Sequence, residues 1–245
     1  MKLFRLSQKT ILRIKAITNS TYLDIVGLVI VILASLALNY HKTVFPFTFQ
    51  GKKYVFYLGY VSILNTSFSM IGNRLVTKKN NFGNFITTCN TFLSGSIDYL
   101  LGNAGAVLTY PVSFLANFWV FKSWEKSRLL RSIDFIFYRN VVLGFLISFV
   151  LNYLAFQYLS SKPIDWKLFF AIAIPAGITF GGTLNTARMY PDNWFMWQLY
   201  NLTKLVQNIL LMNIANTAKY SFYFFNAILG YITWNDDKKK TITSS

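Results

Sequence analysis

Trp194, Trp197, Tyr200 and Asn201 stand at i, i+3, i+6 and i+7 within the segment Asn193-Trp194-Phe195-Met196-Trp197-Gln198-Leu199-Tyr200-Asn201. On a helix that spacing puts all four on one face. Aromatic planes beside an amide suit a flat heteroaromatic ring with hydrogen-bonding substituents: the rings stack on it, and the amide reads its donors and acceptors. A cationic ring would gain a further cation–π contribution of about 0.5–2 kcal/mol. Trp194, at the start of the run, also fits the interfacial belt in which Trp and Tyr collect. Asn201 does not, because the helical rise places it roughly 11 Å further in. An amide at that depth should face protein or water.

Other chemistries lack their residues. One cysteine, Cys89, excludes an internal disulfide, and with one histidine, His41, there is no zinc site of the usual ligand set. Cys89 lies in an apolar run and reads as a small packing residue. An enzyme acting on lipid head groups would need clustered acids, His or Cys. The eight acids are instead scattered along the chain. No GxxxxGK[ST] motif occurs, so a built-in ATPase is not expected. No enzymatic activity, no cofactor and no metal are therefore expected. Ion coupling has little support, since Asp98 is the one acid deep in the runs after the first, and Asp24 starts the first.

Composition says what must hold the aromatic strip. The 245 residues are 54% hydrophobic and 13% charged, with mean hydropathy +0.40. A soluble domain carries about 25% charged residues. Half that density implies a lipid bilayer as surroundings. The net charge of +16 sits in short clusters between apolar runs, which argues against a nucleic-acid partner. Eight runs are long enough to span, at about 22–40, 54–72, 82–101, 103–121, 135–158, 168–187, 194–212 and 215–234. Asn, Thr, Ser and Gly interrupt the third, sixth, seventh and eighth, which makes these the candidates for lining a path. Sixteen Lys and Arg fall on one side, in clusters at 2–15, 74–79, 122–131, 188 and 238–240. Five fall on the other side, including Lys162, and Arg139, Lys204 and Lys219 lie within runs. The bias predicts eight spans with both termini cytoplasmic. The first run could instead be a signal peptide, but its length favours a retained helix. Gly177 and Gly181 have the small-xxx-small spacing of closely packed helices.

Two stretches look alike, Arg74 to Glu125 and Arg188 to Asp236. Each opens on a basic loop and continues with a helix carrying Asn90 or Asn201. Each then has a helix with Asn117 or Asn226 and a terminal Trp124 or Trp234. One helix between the two three-helix units makes both point the same way, a parallel repeat with a substrate site between its halves. The expected fold is an all-α polytopic membrane protein, one extra N-terminal helix plus a 3+1+3 bundle. Its divisions are 1–50 (basic N-terminus and extra helix), 51–125 (first repeat), 126–162 (linker helix), 163–237 (second repeat) and 238–245 (polar tail). An interhelical hydrogen bond remains an equally good role for each Asn.

The pattern Trp194-Trp197-Tyr200-Asn201 resembles the signature of the PnuC family of vitamin and nucleoside transporters. The helix with Asn226, the final Trp234, Asn90 and the Asn117-to-Trp124 segment are similar to that family more loosely. The resemblance covers about 50 to 240. It implies a seven-helix core related to SWEET sugar transporters, a homotrimer in the bacterial cytoplasmic membrane, and facilitated diffusion of nicotinamide riboside trapped by an intracellular kinase. It also implies that the quartet, with Asn90, Asn117 and Asn226, binds substrate. Relatives carry thiamine, riboflavin or deoxynucleosides such as thymidine, so these stay open, as does a non-transporting membrane scaffold. Lys204 is a departure: it follows Asn201 by one turn and would repel a positively charged nicotinamide ring unless a carboxylate such as Asp98 paired with it.

Overall fold

The computed structural model describes residues 6–126, 129–160, 163–210 and 212–244, with side chains to Lys240. Lys2, Arg5, Arg128 and Lys162 of the charge scheme lie outside the described residues. The order is α1 Gln8–Asn19, α2 Thr21–Ala37, a 3-10 turn Tyr40–Lys42, β1 Phe45–Phe49, β2 Lys52–Phe56, then α3 Leu58–Thr77 and α4 Phe82–Leu100. It continues with α5 Ala106–Lys126, α6 Phe135–Tyr158, α7 Trp166–Ala187, α8 Asn193–Leu210 and α9 Ile214–Ser244. The architecture is that of an all-α polytopic membrane protein.

Local chemistry sets the boundaries. Ser20 ends α1 and starts α2, its hydroxyl accepting from Tyr22 N–H, so the chain bends there by 58°. Asp134 caps α6 by accepting from Phe137 N–H, and Asp165 caps α7 by accepting from Lys167 and Leu168 N–H. Three features depart from the expected runs. The second helix begins at Leu58 because the preceding residues form a hairpin, turning at Gln50 and Gly51, both with positive φ. The basic N-terminus contains a helix of its own, α1. The polar tail continues α9 as helix.

By length and mean hydropathy alone, α6 and α7 are apolar enough to cross a membrane, and the bent pair α1–α2 qualifies as a third. The other expected spans fall short because they carry the polar residues that face inward. Their outer faces are apolar: Phe85 and Phe92 on α4, Leu115 on α5, and Leu202 and Val206 on α8 are exposed. Cys89 is exposed too, which corrects the expectation of a packing role.

Helices α3, α4 and α5 pack in sequence, as do α7, α8 and α9, while α3 also meets α9 and α5 also meets α7. Helix α6 packs mainly on α7. Their contact is so close that a Cβ on Gly144 would stand 2.3 Å from Gly181 N. The two triplets share details. Left-handed Lys79 follows α3 and left-handed Met189 follows α7; left-handed Gly102 follows α4 and Met212 follows α8. Asn103 N–H donates to Asp98 O and Asn213 N–H to Asn208 O, both at 2.9 Å. Trp124 and Trp234 each donate an indole N–H to a backbone carbonyl across the bundle, Thr186 O at 2.8 Å and Thr77 O at 2.9 Å. The pairs Lys79/Met189, Gly102/Met212, Asn103/Asn213 and Trp124/Trp234 keep one constant offset along the chain. That offset sets Asn90 opposite Tyr200 and Thr91 opposite Asn201, one residue from the Asn90–Asn201 match read in sequence.

Candidate functional site

A cavity of about 210 Å³ lies among α3, α4, α5, α7, α8 and α9, with no lining residue from α6 or from the extra helices. Six of the seven expected substrate residues border it: Trp194, Trp197, Tyr200 and Asn201 on α8, Asn90 on α4 and Asn117 on α5. The helical spacing does what it promised and turns the α8 strip inward.

The strip is held by its neighbours. Trp197 Nε1 donates to Thr186 Oγ1 at 3.3 Å, and its ring lies against Gly182, where a Cβ would meet it at 3.4 Å. Trp197 and Tyr200 stand edge to face with centroids 5.6 Å apart, and Tyr200 and Tyr220 repeat the arrangement at 5.7 Å with hydroxyls 3.2 Å apart. Such pairs fix ring planes before a ligand arrives. Asn201 is buried at 4% exposure, and among the described residues its amide forms no hydrogen bond, so its donors and acceptor are open to the cavity. Asn90 donates to Asn65 O at 3.1 Å and Asn117 to Thr91 Oγ1 at 3.0 Å; these bonds orient the two amides from behind.

Asn226 is placed differently. It does not border the cavity. Its oxygen accepts from Arg74, and its nitrogen donates to Asn73 Oδ1 at 2.7 Å and Thr77 Oγ1 at 2.8 Å. Arg74, 1% exposed, also bonds Asp24 and the Thr18 carbonyl, so this knot joins α1, α2, α3 and α9. Trp194 has a double position. It borders the cavity, but its ring packs edge to face on Trp234 at 5.4 Å, and Trp234 lies 5.8 Å from Trp124. Of these three indoles Trp194 borders one end of the cavity, and Trp234 and Trp124 stack behind it.

The other end is charged. Lys204 Nζ lies 3.5 Å from Asp98 Oδ2 and 2.9 Å from Gln207 Oε1, and Tyr110 donates its hydroxyl to Asp98 at 2.6 Å. Lys204 is thus paired. Lys219 also borders the cavity, its ammonium 4.4 Å from the Tyr220 ring centroid. Sequence reading passed over Lys219, and over Asn65, Ser69 and Asn73 of α3, which also face the cavity. A lysine inside an apolar run was the available signal for Lys219. The polar spacing within a helix otherwise read as cleanly apolar was the signal for α3.

A polar, aromatic-walled cavity inside helices with apolar outer faces defines a polytopic membrane protein of the small-molecule carrier type. Residues 59–236, from α3 into α9, match the family described as nicotinamide mononucleotide transporter, and the chain belongs to that family. The chain is also similar in structure to the protein of "Crystal structure of the Vitamin B3 transporter PnuC". The TM-score is 0.67 at 11% identity, over 90% of this chain and 93% of that one, which shows a shared fold. No curated protein matches the chain. The PnuC-type resemblance carried by the quartet is therefore the family the chain belongs to. The family match leaves out α1, α2 and the hairpin.

Proposed function

We infer that this protein is a facilitated-diffusion carrier for a nicotinamide nucleoside, with nicotinamide riboside as its simplest cargo. The observation that carries this reading is the convergence of Trp197, Tyr200 and Asn201 from α8 with Asn90 and Asn117 from the other triplet on one cavity. The aromatic rings take the pyridine ring, and the amides take the carboxamide and ribose hydroxyls. The carrier spans the bacterial cytoplasmic membrane eight times with both termini cytoplasmic. Its triplets α3–α5 and α7–α9 form a parallel repeat joined by α6. They rock about the cavity and expose it to each side in turn. The three-indole end is then the cytoplasmic closure and the lysine end the outer one. Released substrate is trapped by intracellular phosphorylation, and the working unit is a homotrimer.

The matched details of the two triplets support the repeat, and the docking of the extra helices outside the cavity supports a seven-helix working core. Calorimetric titration of the purified chain with nicotinamide riboside, thiamine, riboflavin and thymidine tests the reading. Binding of nicotinamide riboside with release of heat is expected. Binding of thiamine, riboflavin or thymidine in its place would move the cargo to that class. Binding of none would leave a membrane scaffold.

A further inference from the structure

Between α2 and α3 the chain leaves the bundle as the β1–β2 hairpin, which lies outside the family match. Its root is fixed. Gly59 N–H donates to Thr43 O at 2.9 Å, and the 3-10 turn lies so close to α3 that a Cβ on Gly59 would stand 2.1 Å from Tyr40 O. Tyr40 donates its hydroxyl to Ser62 Oγ of α3 at 3.2 Å. Successive side chains of a strand point to opposite faces, so the pairing register gives this arm two unlike faces. One carries Phe45 with Phe56, Phe47 with Tyr54 and Phe49 with Lys52; the other carries Pro46 with Val55 and Thr48 with Lys53. Phe45 and Phe56 at the root are half-buried, but Phe47, Phe49 and Tyr54 are exposed, the Phe47 and Tyr54 rings stacked with centroids 5.5 Å apart.

A two-stranded hairpin alone is marginally stable in water, and a contiguous exposed aromatic face marks a surface that something covers. Level identifies the cover. Cross-links between neighbouring helices, Asn65 with Ser94 and Ser148 with Ala173, set the start of α3, the ends of α4 and α6 and the start of α7 at one end of the bundle. Exposed Tyr57 and Tyr60, Tyr99, Tyr158 and Trp166 stand at those four places. A ring of Tyr and Trp is what a helix bundle carries where bilayer meets water, and the hairpin springs from that ring at Tyr57. Charge points the same way. Lys42, Lys52 and Lys53 are exposed, and no acid occurs between Asp24 and Asp98. A second copy pressing its own arm onto this one would set like charges together, whereas lipid phosphates complement them.

We propose that the hairpin is an interfacial arm whose aromatic face lies at the boundary of headgroups and acyl chains, with Lys52 and Lys53 reaching the phosphates of anionic lipids. Five-residue strands extend only ~17 Å, and interfacial elements sink about 5–10 Å, so the arm lies along the leaflet and does not cross it. Lysine stems cover apolar surface while their ammoniums reach the polar layer. With its root locked to α3 through Gly59 and Tyr40, the arm holds the turn from α2 into α3 at the lipid surface. The arm borders no part of the central cavity and is independent of the cargo.

Spin labels at Phe49→Cys and at Thr48→Cys, each in a Cys89→Ser background, test this on the full-length protein in nanodiscs of phosphatidylcholine with phosphatidylglycerol. The two positions are adjacent in sequence and lie on opposite faces, and Phe49→Cys leaves the Phe47–Tyr54 stack in place. The ratio of collisions with oxygen, which concentrates in lipid, to collisions with a water-soluble nickel chelate should be about three-fold or more higher at 49 than at 48. Lys52→Glu with Lys53→Glu should lower the ratio at 49 about two-fold or more, as should replacing phosphatidylglycerol with phosphatidylcholine. Equal access of the nickel chelate to both labels would put the arm in water and overturn the proposal. Shielding of the label at 49 from both probes would overturn it in favour of a protein surface. Spectral broadening that disappears on dilution with unlabelled protein would name that surface as a second copy. A ratio at 49 indifferent to both the charge reversal and the lipid exchange would overturn the phosphate contact. Phe47→Cys gives a further label on the aromatic face, so one misfolded variant does not block the decision.

Discussion

Asn201 and Asn226 are the same residue type on adjacent helices, and both are buried, yet their amides do opposite things. Among the described residues Asn201 presents to the cavity an amide without a protein hydrogen bond, whereas Asn226 is consumed by Arg74, Asn73 and Thr77. Asn201→Ala should abolish uptake into proteoliposomes while barely moving the unfolding temperature, because no protein group loses a partner. Trp197→Ala should also abolish uptake in protein that still inserts; wild-type uptake by both variants would remove the strip from the site. Asn226→Ala should cost about 1–3 kcal/mol of stability for each buried group it strands. That loss would show in thermal unfolding, with uptake falling only as folded protein falls. Spacing on one helix shows which residues share a face, and so the α8 strip was legible. It cannot show whether an amide on a different helix meets a hole or a buried guanidinium, because that depends on how Arg74 of α3 folds back against α9. Asn226 was misplaced for that reason.

The apolar signal of α6 was read to the residue, Phe135–Tyr158 as expected, whereas α3, expected at 54–72, lies at Leu58–Thr77 because the hairpin takes its first residues. The β1–β2 hairpin was not seen. Its alternating Phe45, Phe47 and Phe49 are short, and its turn uses Gln50 at φ 48°, a residue type that does not announce a left-handed position. Gly177 and Gly181 were read as a packing pair, and the partner that sequence could not name is Gly144 on α6. Backbones approach there until a Cβ on Gly144 would overlap Gly181 N at 2.3 Å and Gly177 O at 2.7 Å. Gly144→Val should force α6 off α7 and cost about 1–3 kcal/mol or more as overpacking. A drop in unfolding temperature with cavity-ligand affinity retained in the folded fraction is the expected outcome, since α6 gives the cavity no wall. An unchanged unfolding temperature would mean that the helices do not meet at these glycines.

At the scale of the whole molecule, three of the chain's eight acids, Asp24, Asp236 and Asp237, fasten the extra N-terminal helices to the core. Lys15 of α1 pairs with Asp236 at 2.5 Å and with Asp237, both on the end of α9, and Lys79 beyond α3 reaches the same Asp237. The cluster ties α1, α3 and α9 together beside Trp234, whose ring centroid lies 5.9 Å from the Lys79 ammonium. Burial works against ionisation of Asp237, but the hydrogen bonds from Lys15 and Lys79, with their charges, outweigh it and hold the carboxyl below its ordinary 3.8. Asp236 is lowered in the same way: burial opposes, and the hydrogen bonds from Lys15 and Lys240 prevail. For Lys15, burial disfavours the charge, but the hydrogen bonds to Asp236 and Asp237 raise it above 10.5. A lowered carboxylate contributes stability that is complete above its unfolded value and is lost as pH falls through the folded one. A raised lysine contributes stability that is complete below its unfolded value and is lost as pH rises through the folded one. The latch should therefore be whole between about pH 5 and pH 9 and come apart only below 4 or above 10.5. Asp237→Asn should lower the unfolding temperature across that plateau and flatten the fall on the acid side, because one of the carboxylates whose protonation drives it is gone. An acid limb identical in Asp237→Asn and wild type would mean that the pairing of α9 with Lys15 and Lys79 does not contribute to holding the N-terminal helix on the core.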